Sequence, residues 1–413
     1  MFELEKQICV YLSPFQHVIQ NSSKDAGRSS SCLSHSTTVE NSSLVSQDLS
    51  DVNQSASTST QGGIFTTTTT QQEQNPPVMA QASTDGLSLV QKRLRQQNIP
   101  TRTCDIIMES WRTGTTKQYR VYLDKWTNFA TARNESSIHP TVAKVLEFLT
   151  HLYDSGSSYS AINTARSALS AAVELSDSPY TVGEHPFIKR FIKAAFQSRP
   201  PLPRYHTIWD VSKVLDLLKT WSPAKKLNLK LLTLKLVMLC LLVTGQRCQS
   251  VHLMDIRHMV KGKSSYKFHI DKLVKQSRPG KAQPVLVLPA YPADKRLCVL
   301  SYLQAYLTRT ESVRNSEHTS LFLSYSKPHH PVCKSTISRL VKTVMTKAGI
   351  GAVNFMPHST RAASASAAFR KGIPLETIMA AAGWSTECTF ATYYKKDVKE
   401  DTIYGESILS CSH

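Results

Sequence analysis

The sequence predicts a mainly α protein, with a helical domain followed by a mixed, mostly helical domain that contains a small β-sheet. Three observations predict this. Apolar residues recur at three- and four-residue spacing in four successive stretches between Tyr119 and Ala195. A proline cluster, Pro200, Pro201 and Pro203, then breaks the pattern. Beyond it, helical stripes flank two short apolar runs joined by a turn-rich segment, Lys275 to Lys281.

Residues 1–86 are rich in Ser, Thr, Gln and Asn and include the run Thr66 to Thr70. Such a segment buries too little apolar surface to offset its ordering entropy, so it reads as a disordered tail. Its role is passive, or alternatively regulatory or partner-binding. Order begins near Leu87, giving a helical domain over 87–199. Tyr119, Tyr122, Trp126 and Phe129 form the first stripe. Val142, Val145, Leu149 and Leu152 form the second, and Ile162, Ala165, Leu169 and Ala172 the third. Phe187, Ile188, Phe191, Ile192 and Ala195 form the fourth, with Lys189, Arg190 and Lys193 on its polar face. A domain of four or five helices is expected. The aromatic stripe is core, and the basic face is a solvated surface or a phosphate contact.

Residues 200–206 read as an extended linker. Residues 207–405 form the second domain, and 406–413 a tail. Within the second domain, helices are expected at 211–221, 227–244, 297–307, 335–348, 360–370 and 374–381. A hairpin-like element joins 266–273 to 284–288.

The net charge of +19 over 413 residues implies a polyanionic partner, nucleic acid before ribosomes or an anionic membrane. Nine scattered cysteines without a CxxC argue for free thiols in a reducing compartment, against a disulfide scaffold or zinc module. No signal peptide is evident at the amino terminus. The most apolar stretch, Leu229 to Val243, is short for a bilayer and carries Lys230 and Lys235. It reads as a buried helix with the lysine stems reaching its edge, and the chain as soluble.

The chemistry-bearing residues lie late in the chain. His358 and Arg361 are three apart and share a helix face. Pro357 is placed in the first turn of that helix, and Gly372 and Gly383 close the two helices in sequence. Trp384 follows, then Tyr393 and Tyr394. An Arg, a His and a Trp converging on a Tyr make a phosphate-binding pocket around an oxygen nucleophile. Upstream, Arg247 follows an apolar helix in Thr244-Gly245-Gln246-Arg247. Alone it reads as a helix-capping arginine, and HxxR alone as a surface pair. Together, Arg247 and Arg361 are better explained as two guanidiniums on one phosphate.

This order (Thr-Gly-Gln-Arg247, Lys275 at a β-turn, His358-x-x-Arg361, Trp384, then Tyr) resembles the catalytic domain of the tyrosine recombinases, the phage-integrase family. The strings TGQRCQS, KQSRPGK and TFATYYKK look most like the eukaryotic mobile-element versions, the DIRS-type and Crypton-type recombinases. The resemblance covers about residues 105 to 400, with 105–198 similar to the family's core-binding domain, which clamps the far face of the DNA.

The resemblance implies DNA cleavage and rejoining through a 3′-phosphotyrosyl bond, with neither cofactor nor metal. Arg247 and Arg361 would stabilise the pentacovalent phosphate, and His358 would act as a base or phosphate donor. Lys275 would protonate the leaving 5′-oxygen, with Lys281 the alternative, and Trp384 would donate its indole N–H. The nucleophile is Tyr394, with Tyr393 as its packing neighbour, or else Tyr393 itself. Many relatives have an acidic residue three after the first arginine; here it is Ser250, so Gln249 is expected to orient Arg247 and Asp255 is the nearest carboxylate onward. A homotetramer on DNA and, for a eukaryotic chain, the nucleus are further implications. A non-catalytic DNA-binding derivative and a type IB-like topoisomerase are the competing readings.

Overall fold

A computed structural model describes residues 86–315, 317–351, 354–398 and 408–410 of the chain. The expected tail over 1–86 lies almost wholly outside the described residues, and so does most of 406–413. The chain divides between Pro200 and Pro201 into two compact units.

Among the described residues, the first unit contains six helices: α1 (Gly86–Gln96), α2 (Thr101–Glu109), α3 (Thr113–Thr131), α4 (Val142–Asp154), α5 (Tyr159–Ala172) and α6 (Pro186–Ser198). The expectation of four or five is corrected by the short helix α2. Of its apolar residues Cys104 is buried, but Ile106 and Ile107 are exposed, so it shows no inward stripe. The helix starts follow local chemistry. Thr141 and Ser158 accept hydrogen bonds from the Lys144 and Ala161 amides, and Pro186 opens α6.

Trp126 is the largest fully buried side chain of this core. Its indole N–H donates to Ser137 O (2.9 Å), and its ring meets Phe148 edge-on at 5.3 Å. All four residues of the α4 stripe and all four of the α5 stripe are buried. Phe187 departs from its expected place. Only Ile188, Ile192 and Ala195 of the α6 stripe are fully buried, and Phe187 is 61% exposed. It follows the proline that starts the helix, one position off the inward face.

The second unit contains α7 (Val211–Thr220), α8 (Leu229–Thr244), α9 (Cys248–His252), β1 (Met259–Lys261), β2 (Ser265–His269), β3 (Val285–Pro289), α10 (Val299–Glu311), α11 (Lys334–Lys347), α12 (Ser359–Arg370), α13 (Leu375–Ala382) and α14 (Glu387–Tyr393). Helix α8 is central. Every residue from Leu232 to Leu241 is buried, and α10, α11 and α12 pack around it. Asn228 caps its start through the Leu231 amide (2.9 Å), and Gly245 ends it at φ 59°, a left-handed conformation suited to glycine.

Lys235 is corrected: its stem does not reach the helix edge. The side chain is fully buried, and its ammonium donates to Leu218 O and Trp221 O (both 2.6 Å) while facing the Tyr302 ring at 3.8 Å. Burial pulls its pKa down to about 7, with Asp294 opposing that shift and Arg296 adding to it.

The three strands form one antiparallel sheet in the order β1-β2-β3. Phe268 pairs with Leu286, and Phe268, Leu286 and Leu288 face the core. Strand β1 went unforeseen because it is three residues long and largely exposed. The second strand ends at His269 instead of Leu273, and the whole of 270–284 connects β2 to β3. This connection is longer than the turn expected over Lys275 to Lys281. Helix α12 begins at Ser359, which leaves Pro357 outside the helix and not in its first turn. No described helix is long and apolar enough to cross a membrane.

Candidate active site

Four elements of the second unit deliver the candidate residues. The left-handed Gly245 turns the chain out of α8, so that Arg247 becomes the residue preceding α9. It starts the next helix and does not cap the end of α8. Gly383 performs the same turn after α13, at φ 73°, and places Trp384 directly behind it. His358 immediately precedes α12, and Arg361 lies in its first turn. Tyr394 immediately follows α14.

Arg361 is the anchor, with only 1% of its surface exposed. Its Nη1 donates to Gly245 O (3.0 Å) and its Nη2 to Ala382 O (2.8 Å). These are carbonyls at the carboxyl ends of α8 and α13, where the helix dipoles favour a cation. The guanidinium faces the Trp384 ring at 4.6 Å and the Tyr394 ring at 5.4 Å. Tyr394 is 9% exposed; its ring lies 4.3 Å from Trp384 and 6.4 Å from His358. The Trp384 indole N–H is buried and has no hydrogen-bond partner among the described residues. A buried donor left without an acceptor costs about 1–3 kcal/mol.

His358 is held neutral. Burial lowers its pKa most, and Arg247, Arg361, Lys275 and Lys334 push it further, to about 4. Those four cations surround one imidazole, which makes the pocket strongly attractive to an anion. Lys334, the exposed first residue of α11, was not foreseen; only its place at a helix start could have signalled it.

Tyr393 and Tyr394 part company. Tyr393 is 47% exposed, and the aromatic neighbours of Tyr394 are Trp384 and His358, so the expected packing of Tyr393 on Tyr394 is corrected. Lys275 is exposed on the 270–284 loop and acts on His358; Lys281 is half-buried further along the same loop.

The expected role of Gln249 is also corrected. Arg247 Nη1 donates to Gln276 Oε1 (2.6 Å), whereas Gln249 Oε1 accepts the Lys275 amide (3.2 Å). Asp255 is committed elsewhere, to the Arg257 guanidinium (3.1 and 2.9 Å) and the Thr319 hydroxyl (2.7 Å).

A second layer fixes the two helix ends. Trp209 Nε1 donates to Ser359 Oγ (2.8 Å), and the Tyr205 hydroxyl accepts the Met356 amide (2.9 Å). Ser366 Oγ donates to Tyr394 O and accepts the Lys396 amide. Asp397 O accepts the Ile208 amide (2.8 Å). Sequence reasoning missed this layer, because a lone Ser or Trp carries no pattern.

Residues 210–400 match the model of the phage integrase family. The match lies within the second unit, which carries a domain of that family, the tyrosine recombinases. No curated protein sequence matches it. Among solved structures, the post-cleavage complex of the XerH site-specific recombinase bound to palindromic difH is 14% identical, with 81% of this chain and 91% of that one covered at a TM-score of 0.50. A lambda integrase dimer bound to a COC′ core site is 17% identical (79% and 83% covered, TM-score 0.45). The Tn1549 transposon integrase in complex with transposon right-end DNA is 13% identical (79% and 99% covered, TM-score 0.44). At these identities the XerH likeness speaks for the fold. Among the described residues, no group of three or more His, Cys, Asp or Glu could hold a metal ion.

Proposed function

We propose that this integrase-family enzyme cuts and rejoins double-stranded DNA at specific sites, with Tyr394 as nucleophile. The observation that carries this reading is the pocket itself: Tyr394 packs against Trp384 and His358 beneath the Arg361 guanidinium, while Tyr393 points outward.

In this reading the scissile phosphate lies between Arg247 and Arg361, which stabilise the charge that develops as it becomes pentacovalent. The Trp384 N–H donates to a non-bridging oxygen. Tyr394 Oη attacks phosphorus, and the bond to the 5′-oxygen breaks. The phenolic proton passes to His358, which is neutral and therefore able to accept it. Lys275 gives a proton to the leaving 5′-oxygen, with Lys281 the alternative donor on the same loop. The 3′-phosphotyrosyl bond conserves the energy of the broken one, and attack by a 5′-hydroxyl reverses each transfer.

The basic residues Lys189, Arg190 and Lys193 on α6 are exposed and suited to backbone phosphates of the DNA held by unit 87–199. A tetramer on DNA, the 200–206 linker, the 207–405 catalytic boundary and a nuclear, mobile-element setting belong to the same proposal. Support for the setting comes from the strings TGQRCQS, KQSRPGK and TFATYYKK.

The test is covalent trapping in cells. Wild type and Tyr394→Phe are expressed, denatured, and the attached DNA is sequenced. Attached DNA on wild type alone, clustered at shared sites that flank repeated elements, is expected. Attachment to Tyr394→Phe would overturn the nucleophile, and attachment without site preference would favour a topoisomerase.

A further inference from the structure

The Arg247 guanidinium is satisfied in an unexpected way. Its partner is the side-chain amide of Gln276, at 2.6 Å, on the loop that carries Lys275. That amide lies flat on Gly383: a Cβ there would sit 2.5 Å from Gln276 Nε2 and 3.2 Å from its Cδ. The same stretch is moored a second time, because the Lys275 amide donates to Gln249 Oε1 at 3.2 Å. Lys275 and Gln276 are therefore tied to the segment 247–249 by two side-chain amides. Ser277 behind them is buried and holds the Val274 amide (2.8 Å) and Gln283 (2.7 Å), so the loop has a fixed base and a tip held by neutral bonds.

A neutral acceptor on that guanidinium matters chemically. An amide oxygen satisfies the donor without neutralising its charge, and the positive field over His358 remains. A phosphoryl oxygen accepting from the guanidinium adds the attraction of opposite charges and the option of a bidentate pair, which a neutral amide oxygen lacks, so a phosphate would displace the amide, while a carboxylate would compete with it.

Accepting the reading of this pocket as a phosphate site, we propose that Gln276 is a placeholder for the substrate phosphate on Arg247. An arriving phosphoryl oxygen takes over the Arg247 donor, Gln276 leaves Gly383, and the Lys275–Gln276 tip loses the mooring that runs through Arg247. The loop carrying Lys275 is thereby loosened only when a phosphate is present, which ties the general acid to substrate occupancy. Gly383 serves this exchange by leaving room for the amide.

The experiment titrates the purified full chain with tungstate, a tetrahedral dianion, by calorimetry, and follows amide hydrogen exchange at 274–278. Wild type, Gln276→Ala, Gln276→Met, Gln276→Glu and Arg247→Gln are compared, with melting curves to verify folding. Gln276→Ala and Gln276→Met should bind about threefold tighter, and Gln276→Glu about tenfold weaker or worse, since its carboxylate competes for the arginine. Tungstate should speed exchange at Gln276 and Ser277 in wild type, the opposite of the usual protection by a ligand, and leave Gln276→Glu unchanged.

Weaker binding by both Gln276→Ala and Gln276→Met would overturn the proposal and make Gln276 a phosphate ligand. Equal binding by Gln276→Glu and wild type, or slowed exchange on binding, would also overturn it. If Arg247→Gln binds tungstate as wild type does, the phosphate-site reading itself falls. If that dependence on Arg247 holds while all Gln276 variants bind alike, only the placeholder falls.

Discussion

The two units of this chain solve their interiors in opposite ways. Among the described residues, the first unit buries a single polar side chain, Thr127, whose hydroxyl donates to Leu123 O within its own helix. The second unit buries Lys235, Asp255, Arg361, Gln246 and several hydroxyls. A domain that only folds has little reason to bury cations, because desolvation costs several kcal/mol per ion.

The two buried cations of the second unit differ in turn. Lys235 bonds two carbonyls at the end of α7 and faces Tyr302. Arg361 bonds two helix-end carbonyls but also presents its face to Trp384 and Tyr394. The first arrangement closes a helix end from within. The second holds a guanidinium rigidly in the pocket proposed to receive the phosphate, and rigid, pre-oriented charge is what stabilises a transition state.

The sharpest way to break this contrast is to change each cation alone. Arg361→Lys keeps the charge but loses the two-carbonyl fork, and covalent DNA attachment is expected to fall at least about a hundredfold. Attachment within a fewfold of wild type would make Arg361 structural like Lys235. In the first unit, Leu149→Ala leaves a cavity at a fully buried site and should cost about 2–5 kcal/mol in denaturant unfolding. A cost below about 1 kcal/mol would contradict the close-packed apolar core described for that unit.

The pH behaviour sharpens the comparison further. The folded pKa of His358, about 4, lies below its ordinary 6.5, so the folded state resists protonation. The associated stability, reduced by the exposure of His358 to solvent, is present above pH 6.5 and lost as pH falls through 4. His358→Gln should flatten melting temperature against pH in that window; an unchanged acid-side loss would place the sensitivity elsewhere.

Lys235 acts in a higher window. Its folded pKa of about 7 lies below 10.5, so stability should rise from pH 7 to 10.5 as the folded state sheds its proton first. Lys235→Met removes that rise and should leave attachment per folded molecule unchanged.

The same contrast explains what was legible in the sequence. The first unit's helices α3, α4 and α5 announce themselves because their burial is periodic, with Val145, Leu149 and Leu152 inside. Helix α8 is buried on all sides, so its pattern is a run without a face, and Lys235 within it looked like an edge residue. The helix ends at Gly245 and Gly383 were readable from the glycines themselves. His358, Arg361, Trp384 and Tyr394 were readable as an ordered set, because chemistry demands those residue types. The supporting contacts were not. Gln276 to Arg247 and Trp209 to Ser359 join residues 29 and 150 positions apart, and a polar partner at such a distance leaves no local period. The turn expected at 275–281 is only part of the loop over 270–284, because Pro279 and Gly280 mark a turn, while the register of β2 on β3 ends the pairing at His269 and Val285.

The most direct measurement is to map the covalent link itself. Protein-bound DNA trapped from cells is digested with nuclease and protease, and the nucleotide-bearing peptide is sequenced by mass spectrometry. The buried Tyr394, packed on Trp384 beneath Arg361, is predicted to carry the nucleotide. A nucleotide on Tyr393, or on any residue outside the Arg361 pocket, would contradict the account.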